Sequence, residues 1–79
     1  MTKEEIIKAW FAIDELGDDN IHTEISSFQD SYHNNKKIFR AIIRFGYEYM
    51  FVRTDADPYY AMEKVIDGYS KFIIQNEHK

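Results

Sequence analysis

Two helix-start signatures stand near the two ends of this chain and enclose a middle suited to strands. Thr2 and Glu5 form a Ser/Thr-x-x-Glu capping box, in which each side chain satisfies the other residue's free backbone amide. Asp57-Pro58 gives a second start: Asp is a strong N-cap, and Pro suits the first helical position, where its missing amide costs nothing. Between them, residues 37–54 are rich in Ile, Phe, Tyr, Val and Arg, with Gly46 dividing the run. Such residues fit a pleated, half-buried surface. Helix, strands, helix is the order these signals impose.

The first helix continues through Ile6, Ile7, Trp10, Ile13 and Leu16 at three- and four-residue steps. Gly17 supplies the left-handed position that commonly ends a helix. The last helix carries Ala61, Met62, Val65, Tyr69, Phe72 and Ile73 on one face, and the tail 76–79 is expected to fray. In the middle, residues 37–45 and 47–54 read as two antiparallel strands folding at Gly46. Residues 21–32, rich in Thr, Ile, Ser and Phe, read as another strand, closed by the Asn34-Asn35 pair, which tolerates turn geometry. The expected fold is α+β: a helix, a three-stranded antiparallel sheet and a helix, in one domain over residues 1–79. A four-helix bundle is the alternative. It rests on Ile21, Ile25, Phe28 and Tyr32, whose 4, 3, 4 spacing behind Asn20 also describes a helical stripe.

The turn at Gly46 decides what the sheet displays, because a one-residue slip sends every side chain to the other face. A two-residue turn, Phe45-Gly46, puts Arg40, Arg44 and Arg53 on one face with Tyr47, Tyr49 and Phe51. That is an arginine–aromatic platform able to stack bases and hold phosphates. A three-residue turn, Phe45-Gly46-Tyr47, instead turns Phe39, Ala41 and Ile43 inward with Tyr49 and Phe51. It also opposes Ala41 to Phe51 and Arg44 to Glu48. The second arrangement is preferred, since it matches small to large and pairs opposite charges.

Charge is sorted along the chain. Residues 1–30 hold eight acids against two bases, a net of −6; residues 31–53 hold five bases against one acid, +4; residues 54–79 hold five acids against three bases, −2. The overall −4 argues against a general nucleic-acid or anionic-membrane binder. There is no cysteine, hence no disulfide framework, and the opening Met1-Thr2-Lys3-Glu4-Glu5 is not a signal peptide. A cytoplasmic protein is expected. Six tyrosines exceed what so small a core needs, which points to a contact surface.

No residue set carries catalytic or metal chemistry, and no cofactor is expected. His22, His33 and His78 lack zinc-like spacing. His22 with Glu24, near Asp18 and Asp19, falls short of the convergent ligands a cation needs. No nucleophile motif or phosphate loop surrounds Ser26, Ser27 or Ser70. The acids Asp14, Glu15, Asp18 and Asp19 gather at the end of the first helix, where they oppose the helix dipole. They are candidate contacts for a basic partner, together with Asp55, Asp57, Tyr59 and Tyr60. Arg40, Arg44, Tyr47 and Tyr49 form the alternative, nucleic-acid-facing set.

The element order resembles the double-stranded-RNA-binding domain, but that family's basic cluster at the last helix is replaced here by Asp55-Ala56-Asp57-Pro58-Tyr59-Tyr60. Ala41-Ile42-Ile43-Arg44, then Glu48-Tyr49, then Met62-Glu63-Lys64-Val65-Ile66 is similar, in the same order, to a family of small acidic anti-CRISPR proteins of phages and prophages. Members of that family inhibit type II-A effector nucleases. The resemblance implies a non-enzymatic inhibitor that acts as a DNA mimic, binding one protein partner, a nucleic-acid-binding enzyme, in the host cytoplasm. None of the family's contact loops aligns residue by residue. Two other readings stand beside it: a nucleic-acid-binding domain using Arg40 and Arg44, and a small homodimeric adaptor joined through the exposed edge of the hairpin that folds at Gly46.

Overall fold

The structure, a computed structural model, describes residues 1–16, 20–46 and 49–77. Its elements run α1 (Lys3–Leu16), β1 (Ile21–Asp30), β2 (Lys36–Phe45), β3 (Tyr49–Asp55) and α2 (Pro58–Glu77). The strands form one antiparallel sheet in the order β1-β2-β3. This is the α+β arrangement of helix, three strands and helix, and the four-helix alternative is overturned. Residues 21–30 are a strand, so Ile21 and Ile25 share one face while Phe28 takes the other. Tyr32 is exposed in a single 3-10 turn, Ser31–His33.

Both helix starts form as their sequences dictate. The Thr2 amide donates to Glu5 Oε1 at 3.1 Å, and the Glu5 amide donates to Thr2 Oγ1 at 3.2 Å. Asp57 Oδ1 accepts from the Tyr59 amide at 2.8 Å and from the Tyr60 amide at 3.4 Å. α2 is helical to Glu77. Gly17, the expected helix stop, lies outside the described residues, as do His78 and Lys79.

The β1–β2 connection uses the Asn pair. Asn34 (φ 59°) and Asn35 (φ 60°) both occupy left-handed backbone, which Asn tolerates better than most residues. The Asn35 amide donates to the Asp30 carbonyl at 2.9 Å, and Asp30 Oδ1 accepts from the Tyr32 amide at 2.9 Å. Across β2 and β3 the register pairs Phe45 with Tyr49, Ile43 with Phe51, Ala41 with Arg53 and Phe39 with Asp55. Neither expected turn is right. The turn starts at Gly46, whose φ of +64° suits glycine, and its residues 47–48 lie outside the described residues. Relative to the preferred arrangement the ladder is displaced by two residues. An even displacement keeps the faces but changes every partner: Ala41 opposes Arg53 rather than Phe51, and Arg44 opposes Met50 rather than Glu48.

Both helices cover the same side of the sheet, α1 over β1 and α2 over β2 and β3. They run parallel: the Met1 ammonium meets Glu63 at 3.4 Å, and Lys3 Nζ lies 5.0 Å from the Tyr59 ring centre. The core between the layers is Ile6 and Trp10 from α1, Ala41 and Ile43 from β2, and Ala61, Met62, Val65 and Ile66 from α2. Toward the far end of α2 the packing turns aromatic. Phe51 meets Tyr69 and Phe72 at ring distances of 6.1 and 5.4 Å, and Phe72 meets Tyr49 at 4.7 Å. Burial pushes the Tyr69 hydroxyl above the ordinary tyrosine pKa. No described helix is long and apolar enough to cross a membrane.

Candidate functional site

The side of the sheet away from the helices is uncovered by any described element. Side chains alternate along a strand, and the register assembles this outer face in cross-strand rows: His22–Arg44–Met50, Glu24–Ile42–Val52, Ser26–Arg40–Thr54, then Phe28–Ile38. Its centre is apolar. Ile42 is only 8% exposed although no second layer lies over it. Glu24 and Val52 flank it across the sheet, and Arg40 and Arg44 flank it along the strand. Met50 stands 58% exposed at one corner, and Phe28, Ile38 and Val52 are half-buried. A solvated sheet face would ordinarily be polar at such positions.

The two arginines rim this apolar centre. Neither forms an ion pair among the described residues. The Arg40 guanidinium lies 4.8 Å from the centre of the Phe28 ring, a cation–π contact that covers the aromatic face. The face can therefore offer two arginine forks and an apolar strip. It does not offer the arginine–aromatic platform of the two-residue turn, in keeping with the faces of the preferred arrangement. Tyr49, Phe51 and Arg53 lie on the helix side, where Tyr49 packs on Phe72. The alternative nucleic-acid set is corrected accordingly: Arg40 and Arg44 share the open face, Tyr49 does not, and Tyr47 lies outside the described residues.

The acidic set is divided. Parallel helices put Asp14 and Glu15 at one end of the molecule and Asp55, Asp57, Tyr59 and Tyr60 at the other. Asp14 accepts from Thr23 Oγ1 at 3.1 Å, tying α1 to β1; Glu15 is exposed; Asp18 and Asp19 lie outside the described residues. Asp55 accepts from the Asp57 amide at 2.9 Å and holds Lys64 Nζ at 2.9 Å. The amide bond and the ammonium hold its carboxyl below the usual value. Lys64 Nζ also lies 4.8 Å from the Tyr60 ring centre. Asp55 and Asp57 thus have structural work that explains their presence. His22 and Glu24 both face outward on β1, and no three His, Asp or Glu side chains among the described residues converge on a point.

Ile42, Ile38, Val52 and Met50 were not on the list that charge and capping suggested. Their signal is the unbroken Ala41-Ile42-Ile43 run in the central strand, since apolar residues at consecutive strand positions place one of them on each face. Comparison of the chain with protein-family models, with curated proteins and with solved structures finds no match in any of the three.

Proposed function

We propose that this chain is a non-enzymatic protein-binding module that docks one partner on its open sheet face. The observation that carries this reading is the apolar strip of Ile38, Ile42, Val52 and Met50, rimmed by Arg40 and Arg44, on the side that no helix covers. Apolar anchors inside a rim of arginines are the composition of interface cores. Charge complementarity specifies the occupant: a protein surface with apolar side chains flanked by carboxylates. A nucleic acid is the poorer fit, because the stacking rings are turned inward or covered.

A narrower form follows the anti-CRISPR resemblance. There the chain is a phage-type inhibitor that occupies the nucleic-acid-binding surface of an effector nuclease, with acids making the contact. Glu15 favours this form, being exposed at the end of a helix whose last turn carries no base. The two forms demand opposite partners and one experiment separates them. The tagged chain is used to capture proteins from its host, alongside Arg40→Glu/Arg44→Glu, Met50→Glu and Asp14→Lys/Glu15→Lys variants. A protein lost with the arginine and Met50 changes, and kept with the acid changes, supports the open face. A protein lost only with the acid changes supports the inhibitor form and rejects the open face.

A further inference from the structure

We infer that the free edge of β1 pairs with a second copy of this chain, joining two three-stranded sheets into one of six strands. The backbone groups on that edge can be named. The Gly46 amide donates to the Asn20 carbonyl at 2.8 Å, and the Asp30 carbonyl also accepts from the β2 side, at Asn35. Even-numbered residues of β1 therefore point their amides and carbonyls into the sheet, and Ile21, Thr23, Ile25, Ser27 and Gln29 point theirs out, away from β2.

This edge has few of the usual defences. Natural sheets blunt edges with lysine, proline, bulges or short strands. β1 has ten residues in ten consecutive pairs with β2, no bulge, no proline, no lysine and no arginine; its charges are Glu24 and Asp30, with His22 near its start. The other edge is defended. Val52 belongs to the outward-pointing set of β3, and Arg53 Nη1 donates to its carbonyl at 2.7 Å, placing a charged side chain where a new strand would bond.

Two exposed apolar residues, Phe11 and Ile25, stand on the neighbouring elements α1 and β1 beside this edge. Asp14 reaches Thr23, so Phe11, one turn earlier on α1, overlooks β1. β1 runs antiparallel to α1: Thr23 is level with Asp14, whereas Ser27 is level, through Phe39, with Asp55 near the start of α2. Phe11 therefore stands level with Ile25. Phe11 is 58% exposed and Ile25 is 42% exposed, although Ile25 is on the helix side of the sheet.

The occupant is a second copy because the edge is complementary to itself. A two-fold axis at Ile25 opposes Ile25 to Ile25 of the second copy, Thr23 to Ser27 and Ile21 to Gln29, so outward-pointing groups meet outward-pointing groups. On the outer face Glu24 meets Ser26 and His22 meets Phe28; no like charges stand directly opposite, and the two Glu24 side chains are diagonal neighbours, open to solvent on that face. The two Phe11–Ile25 pairs then close on each other across the axis. The open face proposed above as the docking surface stays free and becomes continuous across both copies; the pairing does not depend on it.

Sedimentation velocity over micromolar to near-millimolar protein tests the pairing, with Ile25→Lys and Ser27→Pro as variants. Proline at 27 removes only an outward-pointing amide and leaves the β1–β2 ladder intact. The wild type is expected to double its mass with concentration, and each variant to weaken that association by roughly tenfold or more. Amide exchange in the wild type gives a readout independent of the variants' folding. The Thr23, Ile25 and Ser27 amides are expected to slow as concentration rises, while those of Met50 and Thr54 on the β3 edge do not change. A monomer at every concentration overturns the inference, and so does a dimer that leaves the three β1 amides unprotected.

Discussion

The guanidinium of Arg53 lies directly over Gly68: a Cβ placed on Gly68 would come within 3.2 Å of Arg53 Nη2. The glycine in the middle of α2 is where the helix makes room for the arginine that covers the outer edge of β3. Ala41, fully buried opposite Arg53 on β2, makes room from the sheet side.

That relationship sets an expectation for α2. Glycine inside a helix costs about 1 kcal/mol relative to alanine. Gly68→Ala alone should gain only part of this, because Arg53 must move and loosen its hold on the Val52 carbonyl. In an Arg53→Ala background the same change should gain about the full 1 kcal/mol. Urea unfolding of the four proteins measures it, and equal gains in both backgrounds would mean that Arg53 does not occupy that space.

Gly46 isolates a conformational effect. Its φ is +64°, and nothing lies within 4 Å of a Cβ built there. Gly46→Ala should therefore cost about 1–2 kcal/mol from left-handed backbone alone. Gly46→Asn should cost less, since Asn accepts that geometry. Thermal unfolding of both variants checks the order.

Asp55 gives a pH dependence whose sign is fixed. Its carboxyl is held below its ordinary value by the Asp57 amide first and by Lys64 next. A carboxylate with a lowered folded-state pKa stabilises the fold above its unfolded value and loses that contribution as pH falls through the folded one. Glu5, lowered by the Thr2 amide and hydroxyl, acts in the same direction. The urea midpoint should fall as pH drops below about 4. Asp55→Asn should flatten part of that slope, and an unchanged profile would contradict the role assigned to Asp55.

The core is small enough for one side chain to matter. Ile43 and Val65 are the largest fully buried residues, and they face each other's layer through β2 and α2. Ile43→Ala should cost about 2–5 kcal/mol, a large share of the roughly 4–12 kcal/mol expected of a chain this long. Far-UV and near-UV circular dichroism should show a markedly lowered melting temperature.

The fold was largely legible in the sequence where local chemistry decides conformation. Thr2, Glu5, Asp57 and Pro58 act on their own neighbours, so both helix starts could be read directly. The Asn34-Asn35 turn is equally local. The strand at 21–30 was harder, because Ile21, Ile25 and Phe28 satisfy helical spacing as well as alternation; pairing along the whole of β2, a long-range fact, decides it. The hairpin register was legible only to its parity. Faces follow from alternation, but the partners depend on how Gly46 turns and on where Arg53 finds room. The open face was hidden for a related reason. Reading β2 as one apolar side and one charged side accounts for Ala41, Ile43, Arg40 and Arg44, and leaves Ile38 and Ile42 unexplained until the helices are seen to lie together on one side.

The most direct measurement is an amide-shift map of the isotope-labelled chain titrated with its captured partner. Shifts should concentrate on the outer rows, at His22, Glu24, Arg40, Ile42, Arg44, Met50 and Val52, and leave Asp14, Glu15, Tyr59 and Tyr60 unmoved. Shifts centred on the end of α1 or the start of α2, with the outer rows unmoved, would contradict the open face as the binding surface.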